Sequence, residues 1–183
     1  MNDSQKYDER YRVSRIYREH YSKVFYYKVW NCVVDGLVKD DKILELGCGT
    51  GQLAQLLYDK GFTNYIGIDF SRVAIEIAKA RVPSFTFIND DLNNIDYSNY
   101  ADFKFVSTET FEHLKNDIEL IKKFPKSSIV FSVPNRMAKL HYRKYPSEAF
   151  IRDRYKSILN VNNVTALRLG GGKIIFVVEA NIL

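Results

Sequence analysis

The chain reads as an α/β protein with a seven-stranded, mostly parallel sheet, helices on both faces and a C-terminal antiparallel hairpin. Three observations predict this. From residue 42 to residue 133, apolar runs of strand length alternate with segments of helical periodicity, the pattern of successive βαβ units. A glycine-rich turn, Gly47-Cys48-Gly49-Thr50-Gly51, joins the first strand of that series to its first helix. At the end of the chain, Val161 to Leu169 and Lys173 to Ala180 are linked only by Gly170-Gly171-Gly172. Such a link is too short for a parallel crossover, so the last two strands must be antiparallel.

Taken in order, residues 4 to 38 read as one or two helices, with Val24, Phe25, Tyr27, Val29, Trp30, Val33, Val34 and Leu37 on the apolar face and Gly36 near the stop. Lys42 to Leu46 is a short buried strand, and Gln52 to Lys60 a helix with Leu53, Leu56 and Leu57 at helical spacing, ended by Gly61. Tyr65 to Ile68 is the second strand, closed by Asp69. Ser71 can cap the next helix, which carries Val73, Ala74, Ile77 and Ala80 and stops near Pro83. Phe85 to Ile88, Phe103 to Ser107 and Ser128 to Val133 are the third, fourth and fifth strands. A helix over His113 to Phe124 fills the last gap, and another over Ser147 to Leu159 precedes the hairpin.

At 183 residues the chain suits one compact domain, with residues 1–38 as a helical cap and 39–183 as the core. Hydrophobic content of 46% and aromatic content of 14% exclude a disordered chain. No apolar run approaches the ~20 residues of a membrane span, and the first six residues lack the apolar core of a secretion signal. The expectation is a cytoplasmic protein with no membrane association, in which Cys32 and Cys48 are free thiols. Its net charge is +5, and ten Lys or Arg against two acids lie between Lys122 and Lys156. That region is either a solvated surface or an attractor for an acidic substrate or RNA.

The turn from Ile43 to Gln52 carries the chemistry. Glycine lets backbone come close to a ligand, and Gly49-x-Gly51-x-x-Ala54 also fits a relaxed dinucleotide fingerprint. Glu45 separates the two readings. A carboxylate there would repel a diphosphate, which wants bare N–H groups, but suits the sulfonium and ammonium of S-adenosylmethionine. Glu45-Leu-Gly47-Cys-Gly49-Thr-Gly51 resembles motif I of the class I S-adenosylmethionine-dependent methyltransferases. The resemblance runs from about Asp41 to Ser132, and more loosely to the C-terminus. It implies a Rossmann-like fold in which Glu45, Gly47, Cys48, Gly49 and Gly51 hold the methionine part of the cofactor.

Asp69 stands where a carboxylate can accept ribose hydroxyls, and Phe70 could lie against adenine or simply pack in the core. Asn89-Asp90-Asp91-Leu92 resembles the family's adenine site. Asp91 and Leu92 align best, with Asp90 competing and an ordinary Asp/Asn loop as the plain alternative. Glu109-Thr-Phe-Glu112-His113 is an E-x-x-E-H string resembling ubiquinone-biosynthesis O-methyltransferases and also small-RNA 3′-end methyltransferases that bind a metal. No metal is assigned, because two carboxylates and one imidazole still need a further ligand. Glu109, His113 and His141 are the candidate catalytic groups, with either imidazole able to act as general base near neutral pH.

Two strings are absent. The fourth strand is not followed by the Asn/Asp-Pro-Pro-Tyr/Phe of adenine and glutamine N-methyltransferases. Gly170-Gly171-Gly172-Lys173 lacks the earlier Gly and the following helix of a phosphate loop. The expectation is methyl transfer by direct displacement to an O or N atom, with a small-molecule acceptor and a monomer or homodimer. The alternatives are an RNA methyltransferase using the Lys122 to Lys156 region, or a binding protein that has kept the cofactor fold without catalysis.

Overall fold

The computed structural model describes residues 3–183. Seven strands form one sheet: β1 Lys42–Leu46, β2 Tyr65–Asp69, β3 Thr86–Asn89, β4 Phe103–Thr108, β5 Ser128–Pro134, β6 Leu159–Arg168 and β7 Ile174–Ile182. Their order is β3-β2-β1-β4-β5-β7-β6. The first five run parallel, and β7 lies antiparallel between β5 and β6. The chain winds outward from β1 in one direction and from β4 in the other. A crevice therefore opens where their carboxyl ends diverge, the usual place for a ligand in an open α/β sheet.

Helices α1 Asp3–Val13, α2 Tyr27–Asp35, α3 Gln52–Asp59, α4 Arg72–Arg81, α5 Asp117–Ile121 and α6 Glu148–Tyr155 cover both faces. Val29, Val33, Leu53, Leu57 and Ala78 pack on one side with Ile43 and Tyr65. Leu120, Ile121, Ile151 and Tyr155 pack on the other with Leu44, Leu46, Phe105 and Phe131. The alternation of β1 sends Ile43 to one core and Leu44 and Leu46 to the other. Glu45, on the Ile43 side, is thereby buried.

Three local expectations change. The helix foreseen over His113 to Phe124 is a 3₁₀ turn, Phe111–His113, followed by the five-residue α5. The cause is distant: Arg143 donates to the carbonyls of Phe111, Leu114 and Lys115, acceptors a continuous helix would have used itself. On α4 the buried residues are Val73, Ala74, Ile75 and Ala78, while Ala80 is exposed. Ile77 is only partly buried and packs against the small cluster of Tyr11, Val73 and Ala74. The N-terminal segment is two α-helices joined through 3₁₀ turns. In it Phe25 and Tyr27 stand 49% and 36% exposed rather than on the apolar face.

The cap is tied to the loop it covers. Gln52 Nε2 donates to the carbonyls of Ile16 and Glu19, Thr50 Oγ1 to that of Tyr17, and Arg81 to those of Tyr17 and Glu19. Ser71 caps α4 as expected, accepting the Ala74 N–H at 3.1 Å, and its hydroxyl donates to Asp8 on α1. Among the described residues, no helix is long and apolar enough to cross a membrane. Cys32 and Cys48 are both free.

Candidate active site

The turn after β1 needs its glycines for two separate reasons. Gly47, Gly49 and Gly51 have φ of 75°, 51° and 74°, which a side chain disfavours. A Cβ on Gly47 would also lie 2.4 Å from Thr110 Oγ1, and one on Gly51 3.0 Å from Ala78 Cβ. Gly47→Ala should therefore combine backbone strain with a clash. We expect a loss of about 2–3 kcal/mol and a fall in melting temperature of roughly 5–10 °C, read by thermal denaturation. An unchanged melting temperature would mean that Thr110 is free to move aside.

Two buried carboxylates face the turn. Glu45, 1% exposed, accepts the Tyr65 hydroxyl at 2.5 Å. Burial pushes it up to about 8 against the opposing pull of that hydrogen bond. Asp69 accepts the N–H of Ser71 at 2.8 Å and of Gly49 at 2.9 Å. Burial raises it to about 6 in spite of those two donors. Each of its oxygens keeps a second acceptor position, as a ribose diol requires. Cys48 lines the turn with its sulfur packed against Gly67.

These shifts fix a sign. Both acids hold a proton in the fold that the unfolded chain releases in the ordinary carboxylate range. Stability must then fall as pH rises from that range through about 6 and about 8. The ligand-free protein should melt at a lower temperature at pH 8 than at pH 5.5. A flat profile would show that neither acid is raised.

A cavity of about 1110 Å³ runs from this turn to the loop after β5. That exceeds the roughly 300–1,000 Å³ usual for one ligand, leaving room for two. Phe70 and Leu92 line it at the turn end. Phe70 meets the edge of Tyr7 at 5.3 Å and is not core packing. Asp91 also lines the cavity, but its Oδ1 accepts the backbone and side-chain N–H of Asn93, so it caps a turn as well. Asp90 caps in the same manner, accepting from Asp91 N–H and Asn94 Nδ2.

At the far end the three candidate catalytic residues come together with Glu112. Glu109 has φ of 52°. Its carboxylate accepts Ser132 Oγ at 3.2 Å and the Tyr26 hydroxyl at 3.5 Å. Burial lifts it to about 7, offset by the Lys173 ammonium. Glu112 is fully buried, and among the described residues neither of its oxygens has a hydrogen-bond partner. Burial, then the neighbouring Glu109 charge, drives it well above the ordinary carboxylate range. His113 is pushed down to about 4 by burial, which makes it a neutral and weak base. Its Nδ1 lies 2.9 Å from the Tyr7 hydroxyl and 3.0 Å from the Leu140 carbonyl. His141 packs edge-on to it at 4.6 Å and is pushed down by burial too. Ligand atoms of Glu112, His113 and His141 lie within 4.8 Å of one another. That trio could accept a cation, which would give the two orphaned oxygens a partner.

From sequence, Tyr7 and Tyr26 belong to a tyrosine-rich N-terminal segment that reads either as a lid over the open side or as plain packing, and both reach the site, at His113 and Glu109. Sequence reasoning missed Lys173 as a contributor to this end. Lys173 was visible only as the residue after a glycine link, yet its ammonium lies 3.2 Å from the Tyr26 hydroxyl.

Residues 43–126 match the family model described as a methyltransferase domain. An uncharacterized methyltransferase of Oceanobacillus iheyensis is 36% identical over 120 residues, 61% of this chain and 55% of that protein. The eEF1A lysine and N-terminal methyltransferase of Mus musculus is 33% identical over 61 residues, 31% of this chain and 9% of that protein. The chain thus spans about half the length of the first relative and far less of the second. Magnesium protoporphyrin IX methyltransferase from Synechocystis PCC 6803 with bound SAM superposes with a TM-score of 0.72 at 17% identity, covering 99% of this chain and 97% of that one. A methyltransferase in complex with the Haloferax volcanii Trm112 activator gives 0.73 at 14%, covering 96% and 97%. Residues 43–126 thus resemble a methyltransferase domain in sequence, and the chain shares along its length the fold of a methyltransferase solved with bound SAM.

Proposed function

We propose that the protein transfers a methyl group from S-adenosylmethionine to an oxygen or nitrogen atom of a small molecule. One observation carries this reading: a single cavity joins the glycine turn, with Glu45 and Asp69, to Glu109, Glu112 and His113. Glu45, a buried acid held protonated for want of a positive partner, suits the cationic methionine end. Gly47, Cys48 and Gly49 line the same cavity, whereas Gly51 is set back against Ala78 and shapes the turn without reaching it. Asp69 has acceptor positions for a ribose, and Phe70, Asp91 and Leu92 lie where the base would rest. Bound there, S-adenosylmethionine supplies a methyl group on a positively charged sulfur.

The remaining work falls to the other end of the cavity. Glu109, near neutral in its titration, is better matched than His113 to remove a proton from the acceptor as the new bond to carbon forms. His113 keeps its lone pair available but is fixed by Tyr7 and Leu140, which suits orientation of the acceptor. Tyr7 and Tyr11 on α1 cover the turn, with the Tyr11 hydroxyl 3.5 Å from where a Gly49 Cβ would sit, and so shield the reacting atoms from water. Alignment of this kind supplies about 7–11 kcal/mol of the barrier.

The structure favours a small acceptor over RNA. In the basic region Lys122, Arg152 and Lys156 each pair with an acid three or four residues away. Arg143 and Arg154 turn inward onto Asp117. Half of the ten cations of that region are thus taken up by carboxylates, which weakens it as a continuous phosphate track. Calorimetry with S-adenosylhomocysteine and with NAD tests the reading. Binding of the former alone is expected, and failure of S-adenosylhomocysteine to bind at millimolar concentration would overturn it.

A further inference from the structure

The acceptor end of the cavity has two electrostatic layers. Its floor is acidic and imidazole-rich, with Glu109, Glu112, His113 and His141. Its mouth is cationic: Arg10 comes from α1, and Arg136 and Lys139 from the loop after β5. Two separate elements therefore bring three cations to one opening. All three are exposed, and none is among the ion pairs of the described residues. Arg10 lies 5.7 Å over the Tyr17 ring, and Arg136 donates only to the Gly171 carbonyl at 3.2 Å. This differs from the same half of the chain, where Lys122, Arg143, Arg152, Arg154 and Lys156 all reach a carboxylate.

These cations do not hold their loop in place. Asn135 does that, exchanging backbone and side-chain hydrogen bonds with Ile174 at 2.9 Å and reaching the Gly172 carbonyl at 3.3 Å. Tyr142 N–H adds a bond to the Glu112 carbonyl at 2.8 Å. The charges also crowd one another. Arg10 acts on both His113 and His141, and Arg136 on Lys173, each lowering its neighbour's hold on a proton. Like charges gathered at an opening and left without counter-charge attract an anion and steer it inward.

We infer that the acceptor is a small organic anion, a carboxylate or phosphate monoester. Its charged group rests on Arg136, Lys139 and Arg10 while its nucleophilic oxygen or nitrogen reaches Glu109 on the floor. This inference rests on the methyltransferase reading and names the substrate class of the same site. Met137 and Tyr142, 54% and 57% exposed at the same mouth, give the apolar body between the two ends a surface to lie on.

The test uses the full chain loaded with S-adenosylhomocysteine and three probes of similar shape: phenyl phosphate, benzoate and benzyl alcohol. Calorimetry should show at least one anion binding roughly tenfold or more tightly than the alcohol. The double variant Arg136→Gln with Lys139→Gln should weaken that anion by roughly tenfold and leave affinity for S-adenosylhomocysteine unchanged. A control pair on the exposed surface, Lys126→Gln with Lys144→Gln, should change neither. Indifference of the anions to the mouth variant, equal binding of the alcohol, or no anion binding at millimolar concentration would overturn the inference. So would displacement of the anions by a single-stranded RNA oligonucleotide at micromolar concentration, since RNA would then be the better occupant. Loss of S-adenosylhomocysteine binding by the unaltered protein would count against the methyltransferase reading instead, so the two failures are distinct.

Discussion

Replacing Glu45 with Gln should raise the melting temperature of the ligand-free protein at pH 8 while weakening its hold on S-adenosylmethionine by roughly 10²-fold. The opposite signs come from one carboxylate. At 1% exposure and with the Tyr65 hydroxyl as its one hydrogen-bond partner among the described residues, an ionised Glu45 is costly in the empty protein. An amide accepts the same hydrogen bond without the charge. In the loaded protein, on the proposed mode of binding, that charge would face the cationic methionine end of the cofactor, and removing one member of a buried pair exposes the other. Differential scanning fluorimetry reads the first effect and calorimetry the second. Comparing donor with demethylated product refines the result. If Glu45 answers the sulfonium, affinity for S-adenosylmethionine should fall more than affinity for S-adenosylhomocysteine, which keeps only the ammonium. Unchanged affinity for both would reduce Glu45 to a packing residue.

The position of Glu45 beside the turn was legible because the signal is local: it lies near the end of a strand and the glycines follow within six residues. The sheet was legible on the same ground, since apolar periodicity depends on neighbours in sequence. What escaped was set by residues far apart. The short α5 depends on Arg143 drawing off carbonyls almost thirty residues upstream, a tertiary demand that helical periodicity does not register. Asp91 could be placed at the cavity, but its turn-capping bonds with Asn93 belong to ordinary loop chemistry. The E-x-x-E-H string marked that end of the cavity, yet only the fold shows that the Glu109 carboxylate is hydrogen-bonded and that, among the described residues, the Glu112 carboxylate is not. His141 joins them because the loop after β5 folds back over His113, and no local pattern announced that.

Asp117→Asn should be among the most destabilising single substitutions in the chain, at about 3–5 kcal/mol. The melting temperature should fall by roughly 10 °C or more. Asp117 is fully buried at the start of α5. It receives Arg154 Nη2 at 2.5 Å, Arg143 Nη1 at 3.1 Å and the Tyr155 hydroxyl at 2.7 Å. The amide would leave two guanidiniums, 15% and 22% exposed, without a counter-charge, and would turn an N–H toward groups that are already donors. The partial exposure of both arginines lets water temper the loss, so the lower half of the range is the better expectation. By contrast Lys156→Gln removes an exposed i,i+3 pair with Asp153 and should leave the melting temperature essentially unchanged. The pair of variants distinguishes two kinds of basic residue that look alike in sequence. It also connects stability to the site, because Arg143 fixes the carbonyls around Glu112 and His113. Loosening it should cut methyl transfer while leaving affinity for S-adenosylhomocysteine nearly intact, since the glycine turn lies at the other end of the cavity. If Asp117→Asn melts within about 2 °C of the unaltered protein, the inward arginines are ordinary surface charges, and the basic region would again be open to bind phosphate.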